Sequence, residues 1–417
     1  MEIVMKRKLN ILFLALTLAV LLSGCKEKSQ NPMADEQISD SNSVNLTVWG
    51  AEEDEQLLRQ MIDEFQEEYK EQADFTITYK PQSESSCTDA LMADLESGAD
   101  VFAFADDQLN TLVAAGALEP VENSEDVKQS NLPEAALAAS VNDTMYALPM
   151  TADNGYFLYY NKKYFSNKDI QSLDRMLDIA AQNGKKISMD WSSGWYVYSL
   201  FGNTGLKVGL NDDGITNYCT WNSKEGKIKG TDVAKSMLNI GRHSGFVSAD
   251  DTKFLKGAKK GTIIAGVNGV WNSVPLQKAW GSDFGAAKLP SYNCAGKKVQ
   301  MSSFSGYKLI GVNAYSNHKE WAAKLAQWIT NEENQKLRFH LRGQGPSNIN
   351  AAASKEVQNS PAITALLEQS EFSCLQRIGG NFWEPVATFT SGILSGNFLE
   401  NNLQEQLDIM VEGIIAP

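Results

Sequence analysis

The chain has 417 residues, 43% of them apolar and 9% aromatic, with 51 acidic against 37 basic side chains and a net charge of −14. That length exceeds one ordinary core and predicts two lobes, and the acidic balance disfavours nucleic acid or an anionic lipid surface as a partner. The three histidines, His243, His318 and His340, fall in no metal or catalytic motif, and no GxSxG, HExxH or phosphate-loop pattern occurs. Nucleophilic and metal catalysis therefore have little to work with, and no cofactor or metal is expected.

In chain order, a basic cluster (Lys6, Arg7, Lys8) precedes an apolar run from Leu9 to Leu22. The run is short for a transmembrane span and fits the apolar core of a secretory signal. Leu22, Ser23, Gly24 and Cys25 follow. This order of charge, apolar length, small residues and cysteine resembles the bacterial lipobox, which implies cleavage before Cys25 and lipid, palmitate included, on that residue. An ordinary signal peptide with a chance cysteine is the alternative. Acyl chains anchor a protein without spanning the bilayer. Residues 1–24 read as the signal peptide and 25–43 as a polar, flexible tether. A folded body is expected from Val44, outside the cytoplasmic membrane. Loss of residues 1–24 removes Glu2, Lys6, Arg7 and Lys8 and leaves a charge of −16.

"NLTVW" (Asn45 to Trp49) reads as a strand. Leu57, Leu58, Met61, Ile62, Phe65 and Tyr69 recur at helical spacing over Glu55 to Glu71. "FTITY" (Phe75 to Tyr79) alternates as the next strand, Ala90 to Ser97 as a helix ended by Gly98, and "ADVFAFADDQ" (Ala99 to Gln108) as a strand entering a loop. Strand, helix, strand, helix, strand is the pattern of a parallel α/β sheet, whose ligands gather at the carboxyl ends of the strands. Trp49 and Asp106-Asp107-Gln108 stand at such ends. "YALPMTADNGYFLYYN" gives two β segments around an Asp153-Asn154-Gly155 turn, and Asp174 to Ala181 begins a helix. "WSSGWYVYSLFGNTG" packs aromatics around Gly194, and "GTIIAGVNGVWNS" is an apolar strand breaking at Asn268-Gly269 before Trp271. Trp321, Leu325, Trp328 and Ile329 share one face of a helix over Lys319 to Asn331 and read as core. Trp383 stands at a helix start, with Pro385 tolerated in the first turn. Cys87, Cys219, Cys294 and Cys374 show no CxxC spacing; lone buried thiols are the expectation, and spacing leaves any disulfide pairing open.

These segments, in this order, resemble the extracellular solute-binding proteins of ABC importers, in the group that includes the maltose/maltodextrin-binding proteins. The resemblance is carried by "LTVWGAEED", "ADVFAFADDQLNTLVAAGALEPV", "YALPMTADNGYFLYYNKKYF", "GTIIAGVNGVWN", "FSGYKLIGVNAYSNHKEWAAKLAQWIT" and "NFWEPVATF". It implies an α/β, two-lobed periplasmic-binding-protein fold with a ligand cleft between lobes and hinge crossovers. The lobes would be 44–152 with 307–358, and 153–306 with 359–417. The implied ligand-binding residues are Trp49, Asp107, Gln108, Asp153, Trp195, Trp271 and Trp383, with Tyr156 and Tyr307 as weaker guesses. Gln108 stands where the family usually has Arg. Glu52 and Glu53 read as a solvated charge run.

The chemistry of the residues agrees with that resemblance. Carboxylates and amides bond hydroxyls, and aromatic rings cover the apolar faces of sugars. The expected function is a non-enzymatic, lipid-anchored, monomeric protein that binds an oligosaccharide, maltose or maltodextrin first, and passes it to membrane permease subunits. The same fold with another oligosaccharide is the alternative, and a glycoside hydrolase using Asp107 and Asp153 is the distant one.

Overall fold

A computed structural model describes residues 43–417; the signal, lipobox and tether readings, Cys25 included, lie outside the described residues. Ten strands build two sheets. They are β1 (Ser43–Gly50), β2 (Asp74–Pro81), β3 (Val101–Ala105), β4 (Ala147–Thr151), β5 (Tyr156–Asn161), β6 (Lys186–Ser188), β7 (Phe246–Val247), β8 (Ile263–Gly269), β9 (Phe284–Ala287) and β10 (Lys308–Val312). The first sheet has the order β2-β1-β3-β10-β4, and the second β7-β6-β8-β5-β9.

The expected parallel core is present where β1 pairs with β2 and β3. The full sheets are mixed, however. β10 lies antiparallel to both β3 and β4, and β5 antiparallel to both β8 and β9. The reason is connectivity. The chain leaves the first sheet after Thr151, builds the second, and returns at Lys308 to insert a strand between two already placed. A strand arriving from the other sheet enters head-on.

Period-2 alternation divides each central strand between two cores. Val101 and Ala103 of β3 pack with Leu57, Met61 and Phe65 from the helix Glu55–Tyr69 and with Leu325 from Lys319–Ile329. Phe102 and Phe104 pack on the other face with Leu109 and Leu112. In the second sheet Leu158 and Tyr160 join one cluster while Phe157 and Tyr159 join another. Trp321 and Trp328 sit in edge-to-face contact with Phe65, so their reading as core agrees with their placement. The helix expected over Ala90 to Ser97 instead occupies Cys87–Ala93 and ends four residues early, because Asp94 turns to an extended backbone and accepts from Ser97 N at 3.2 Å. Cys87, Cys219, Cys294 and Cys374 are all free thiols; Cys87 and Cys294 are buried as expected, whereas Cys219 is partly exposed and Cys374 exposed. No described helix is long and apolar enough to cross a membrane.

One buried charge cluster locks the return helix Glu332–Arg342 to the loop after β1. Asp54, 1% exposed, pairs with Arg338, also 1% exposed, and accepts from Arg342 Nε at 2.8 Å. Burial works against the Asp54 anion, but Arg338, Arg342 and Lys308 outweigh it and hold the carboxyl below its usual range. Asp54→Ala would leave the Arg338 guanidinium buried without its counterion. It should lower stability by about 3–5 kcal/mol, read as a reduced urea midpoint, whereas a midpoint within error of the parent would show that the pair is not a lock.

Candidate functional site

The carboxyl ends of the parallel strands in both sheets open onto one cleft of about 980 Å³. From the first sheet come the loop after β1 (Ala51 to Asp54), the loop after β2 (Gln82 to Ser85), and Asp107 and Gln108 after β3. From the second come Ser192 to Tyr196 after β6, Asp251 after β7 and Trp271 after β8. Lys308 at the start of β10 closes the floor, and Gln376, Trp383 and Glu384 complete the far wall.

The two walls differ in chemistry. The second-sheet wall is aromatic. The rings of Trp195 and Trp271 lie 5.8 Å apart at 30°, and Tyr156 buttresses Trp195 at 4.6 Å while donating its hydroxyl to Trp195 O at 2.8 Å. Asp251 fixes Trp271 by accepting from its Nε1 at 2.9 Å, and is itself held by Asn268 Nδ2 at 2.6 Å. The Asn268-Gly269 break has a steric cause: a Cβ on Gly269 would stand 2.1 Å from the Trp271 ring. Trp383 begins the helix Trp383–Leu394 and leans on the fully buried Phe382 at 5.0 Å.

The first-sheet wall is charged, and its buried lysine is paired. Lys308 Nζ meets Glu84 Oε2 at 2.5 Å, with both side chains about nine-tenths buried. Burial opposes the Lys308 cation, but Glu84, Asp54 and Asp153 hold its pKa above the ordinary value. Lys308 Nζ also sits 5.3 Å from the centre of the Trp271 ring, a cation–π contact that joins the two walls. Asp107 Oδ2 accepts from Gln376 Nε2 at 2.6 Å; burial, helped by neighbouring Asp106, pushes the Asp107 carboxyl up to about 6. Glu84 Oε1 is buried with no hydrogen-bond partner. Among the described residues no group of three His, Cys, Asp or Glu is placed to hold a metal ion.

Five of the seven residues picked from sequence line the cleft together: Asp107, Gln108, Trp195, Trp271 and Trp383. Gln108 spends its amide on the wall itself. Its Oε1 accepts from Thr88 N and Oγ1 at 3.0 and 2.6 Å, and its Nε2 donates to Glu84 O at 2.7 Å. Trp49 is half-buried, packed on the apolar cluster that holds Phe102 and Cys87, and does not line the cleft. Asp153 is 2% exposed and accepts from Gly345 N; it lies behind the lining. Glu52 and Glu53 do line the cleft, although exposed, while Tyr307 does not. Glu84, Lys308, Asp251, Asn154 and Gln376 were missed. "PQSES" follows the second strand directly, and Lys308 opens an otherwise apolar strand, so position at a carboxyl end and a lone cation in an apolar run were the signals to follow.

A family model for bacterial extracellular solute-binding proteins matches residues 60–365. The chain belongs to that family. A galactooligosaccharide-binding protein of Bacillus subtilis is 25% identical over 378 residues, spanning 88% of this chain and 87% of that protein. A maltooligosaccharide ABC transporter solute-binding lipoprotein of Streptococcus pneumoniae is 24% identical over 373 residues, 84% of this chain and 83% of that one. Among solved structures, one described as a complex with acarbose superposes with a TM-score of 0.79 at 29% identity, covering 89% of this chain and 99% of that one. The maltodextrin-binding protein of L. casei BL23 superposes at 0.73 with 24% identity, covering 90% and 100%, which supports the two-lobed fold. The relatives are solute-binding transport proteins rather than enzymes.

In this solute-binding protein Asp153 joins a strand end to the return segment, and burial pushes its carboxyl up to about 6. A raised carboxyl means that the folded state holds the proton more tightly than the unfolded chain. That stability is present below pH ~4 and lost as pH climbs through about 6. Asp153→Asn keeps an acceptor for Gly345 N and removes the titration. The drop in urea midpoint between about pH 4.5 and about pH 7 should shrink in the variant; an unchanged drop would show that Asp153 does not titrate there.

Proposed function

We propose that this protein is the lipid-anchored capture component of an ABC importer, closing two lobes on a neutral oligosaccharide and delivering it to membrane permease subunits. Maltodextrin is the first choice of sugar. The lobes are 44–152 with 307–358 and 153–306 with 359–417, and the anchor is Cys25. The observation that carries the reading is the pairing of an aromatic wall with a wall of carboxylates, amides and one buried lysine across one cleft. The Trp195 and Trp271 rings lie together on one wall, 5.8 Å apart at 30°, and offer flat apolar area for sugar faces. Asp107, Glu84 and Glu384 line the same cleft and supply acceptors for hydroxyl donors, while Lys308 and Gln376 supply donors. Glu84 Oε1, buried and without a partner, gains from a hydroxyl placed against it.

The names of the relatives support the class of ligand. They divide over the sugar, maltooligosaccharide in one case and galactooligosaccharide in another, and that division favours a second reading in which the same cleft takes a galactooligosaccharide. The hydrolase alternative loses its proposed pair, because Asp153 does not line the cleft that holds Asp107.

Isothermal titration of the 43–417 body with maltose, maltotriose, maltotetraose and a galactotriose tests both readings. Binding of maltotriose in the micromolar range or tighter, with galactotriose at least ~10-fold weaker, is expected; the reverse order moves the assignment to galactooligosaccharide, and no heat from any of them removes the oligosaccharide reading. Trp271→Ala should weaken the preferred sugar at least ~10-fold, about 1.4 kcal/mol, by exposing the stacked ring face. Asp107→Asn should flatten the loss of affinity expected below about pH 6, where the carboxylate that accepts from sugar hydroxyls becomes protonated.

A further inference from the structure

The whole-chain charge points away from an anionic surface, but it is unevenly distributed. Residues 44–152 hold four Lys and Arg against twenty-three Asp and Glu, a net −19, whereas residues 153–306 hold twenty against twelve, a net +8. Much of the positive excess collects at the end of the second sheet that faces away from the cleft. Lys162 and Lys163 follow the last residue of β5, Lys185 and Lys186 open β6, and Lys259 and Lys260 precede β8. Hydrogen bonds bring these ends together: Lys186 N donates to Thr262 O at 2.9 Å, and Lys162 N to Asp283 O at 2.7 Å. Ala265 pairs with Tyr160, so the start of β8 lies beside the end of β5.

None of these six lysines has a carboxylate partner within ion-pair distance among the described residues. Lys162, Lys163, Lys259 and Lys260 are exposed. Lys259 and Lys260 also fall in the last turn of the helix Asp251–Lys260, where cations complement the helix dipole. That local role does not account for Lys162, Lys163 or Lys185, which stand in connections next to strands. Asp283 follows the same end, its carbonyl accepting from Lys162 N, and Asp178 lies 3.3 Å from His243. β8 runs seven residues from this end to the cleft, ~20 Å, so the cluster is too far away to contact ligand.

We propose that this lysine-rich end of the second lobe docks on the anionic lipid surface of the membrane. The proposal rests on the reading that Cys25 keeps the chain at a membrane. The occupant is a flat field of charge, because the lysines spread over three connections rather than converging on a pocket. Each lysine near an anionic bilayer contributes ~1 kcal/mol, and the acidic lobe is screened beyond ~8 Å at physiological salt. The tether enters at Ser43, on the acidic lobe. With residues 307–358 and 359–417 included, the two proposed lobes carry −16 and +2, so the attraction comes from the lysine cluster itself, while repulsion of the acidic lobe turns the body in the same sense.

The test is sedimentation of the 43–417 body, which forms one compact unit of the chain, with vesicles of phosphatidylcholine alone or with phosphatidylglycerol. Binding to the phosphatidylglycerol vesicles only, weakened by salt, is expected. Changing Lys162, Lys163, Lys259 and Lys260 together to Gln should lower it ~10-fold or more, while Gln at Lys224, Lys227, Lys297 and Lys298 together should leave it within ~2-fold. Equal binding to both vesicles, wild-type binding by the first variant, or an equal loss in the second overturns the proposal; so does binding to soluble polyphosphate without binding to vesicles. Oligosaccharide titration of the first variant should match the parent, so failure of the docking and failure of the sugar reading are separately visible.

Discussion

The two sheets are held in register with the cleft by one buried carboxylate. Asp106, at the end of β3, accepts from Tyr307 N at 2.8 Å and from Arg377 Nη1 at 2.9 Å. Tyr307 lies on the segment that returns to the first sheet, and Gln376, beside Arg377, donates its backbone N–H to Ser305 O at 3.0 Å. Asn154 N, on the outgoing passage, reaches Gly306 O at 3.2 Å. Separate passages between the sheets therefore meet around one anion. Gly306 is required there, since a Cβ would stand 2.6 Å from Asp106 Oδ1. Burial pushes the Asp106 carboxyl up, and Arg377 and the Tyr307 N–H pull against that shift. An uncompensated carboxylate in this position would be costly, so the passages are bound to the carboxylate as firmly as it is to them.

The knot imposes a division of labour on two neighbours in sequence. Asp106 faces the knot and Asp107 faces the cleft, where it takes its hydrogen bond from Gln376, the neighbour of the arginine that holds Asp106. Consecutive residues, Gln376 and Arg377, thus tie the knot to the carboxylate that lines the cleft without any intermediate element. The remaining polar groups are similarly prearranged. Gln108 carries the Glu84 loop, Glu84 carries Lys308, and Lys308 reaches the Trp271 ring on the opposite wall. Each side chain is restrained before ligand arrives, which reduces the ordering cost of binding.

Much of this architecture was legible in the sequence, and the parts that were not share a cause. Hydrophobic period placed the helix Glu55–Tyr69 and strands β1, β2, β3, β5 and β8, because each buries a face within its own lobe. The aromatic wall was legible too: Trp195, Trp271 and Trp383 come directly after local breaks, at Gly194, at Asn268-Gly269 and after Phe382, each visible within a few residues. The charged wall was not. Glu84 lies 224 residues from Lys308, and Asp54 lies 284 from Arg338, so no local pattern marks them as partners. Asp153 and Trp49 mislead for the opposite reason. A carboxylate at a turn and an aromatic at a strand end look alike in sequence whether they face a cleft or a core, and only the return segment at Gly345 and the packing on Phe102 decide.

Charge inside and outside the cleft obeys separate rules. At the cleft the lining cations are matched, Lys308 with Glu84 and Arg342 with Asp54, and behind the lining Arg377 pairs with Asp106; Glu52, Glu53, Asp107, Asp251 and Glu384 line it without a cation partner among the described residues. Along the chain the charge is uneven, −19 over residues 44–152, +8 over 153–306 and −3 over 307–417. A neutral sugar in the cleft would not feel that outer field, so docking of the kind proposed would leave what the cleft selects unaltered. The short screening length in salt keeps the two separate over the ~20 Å from sheet end to cleft.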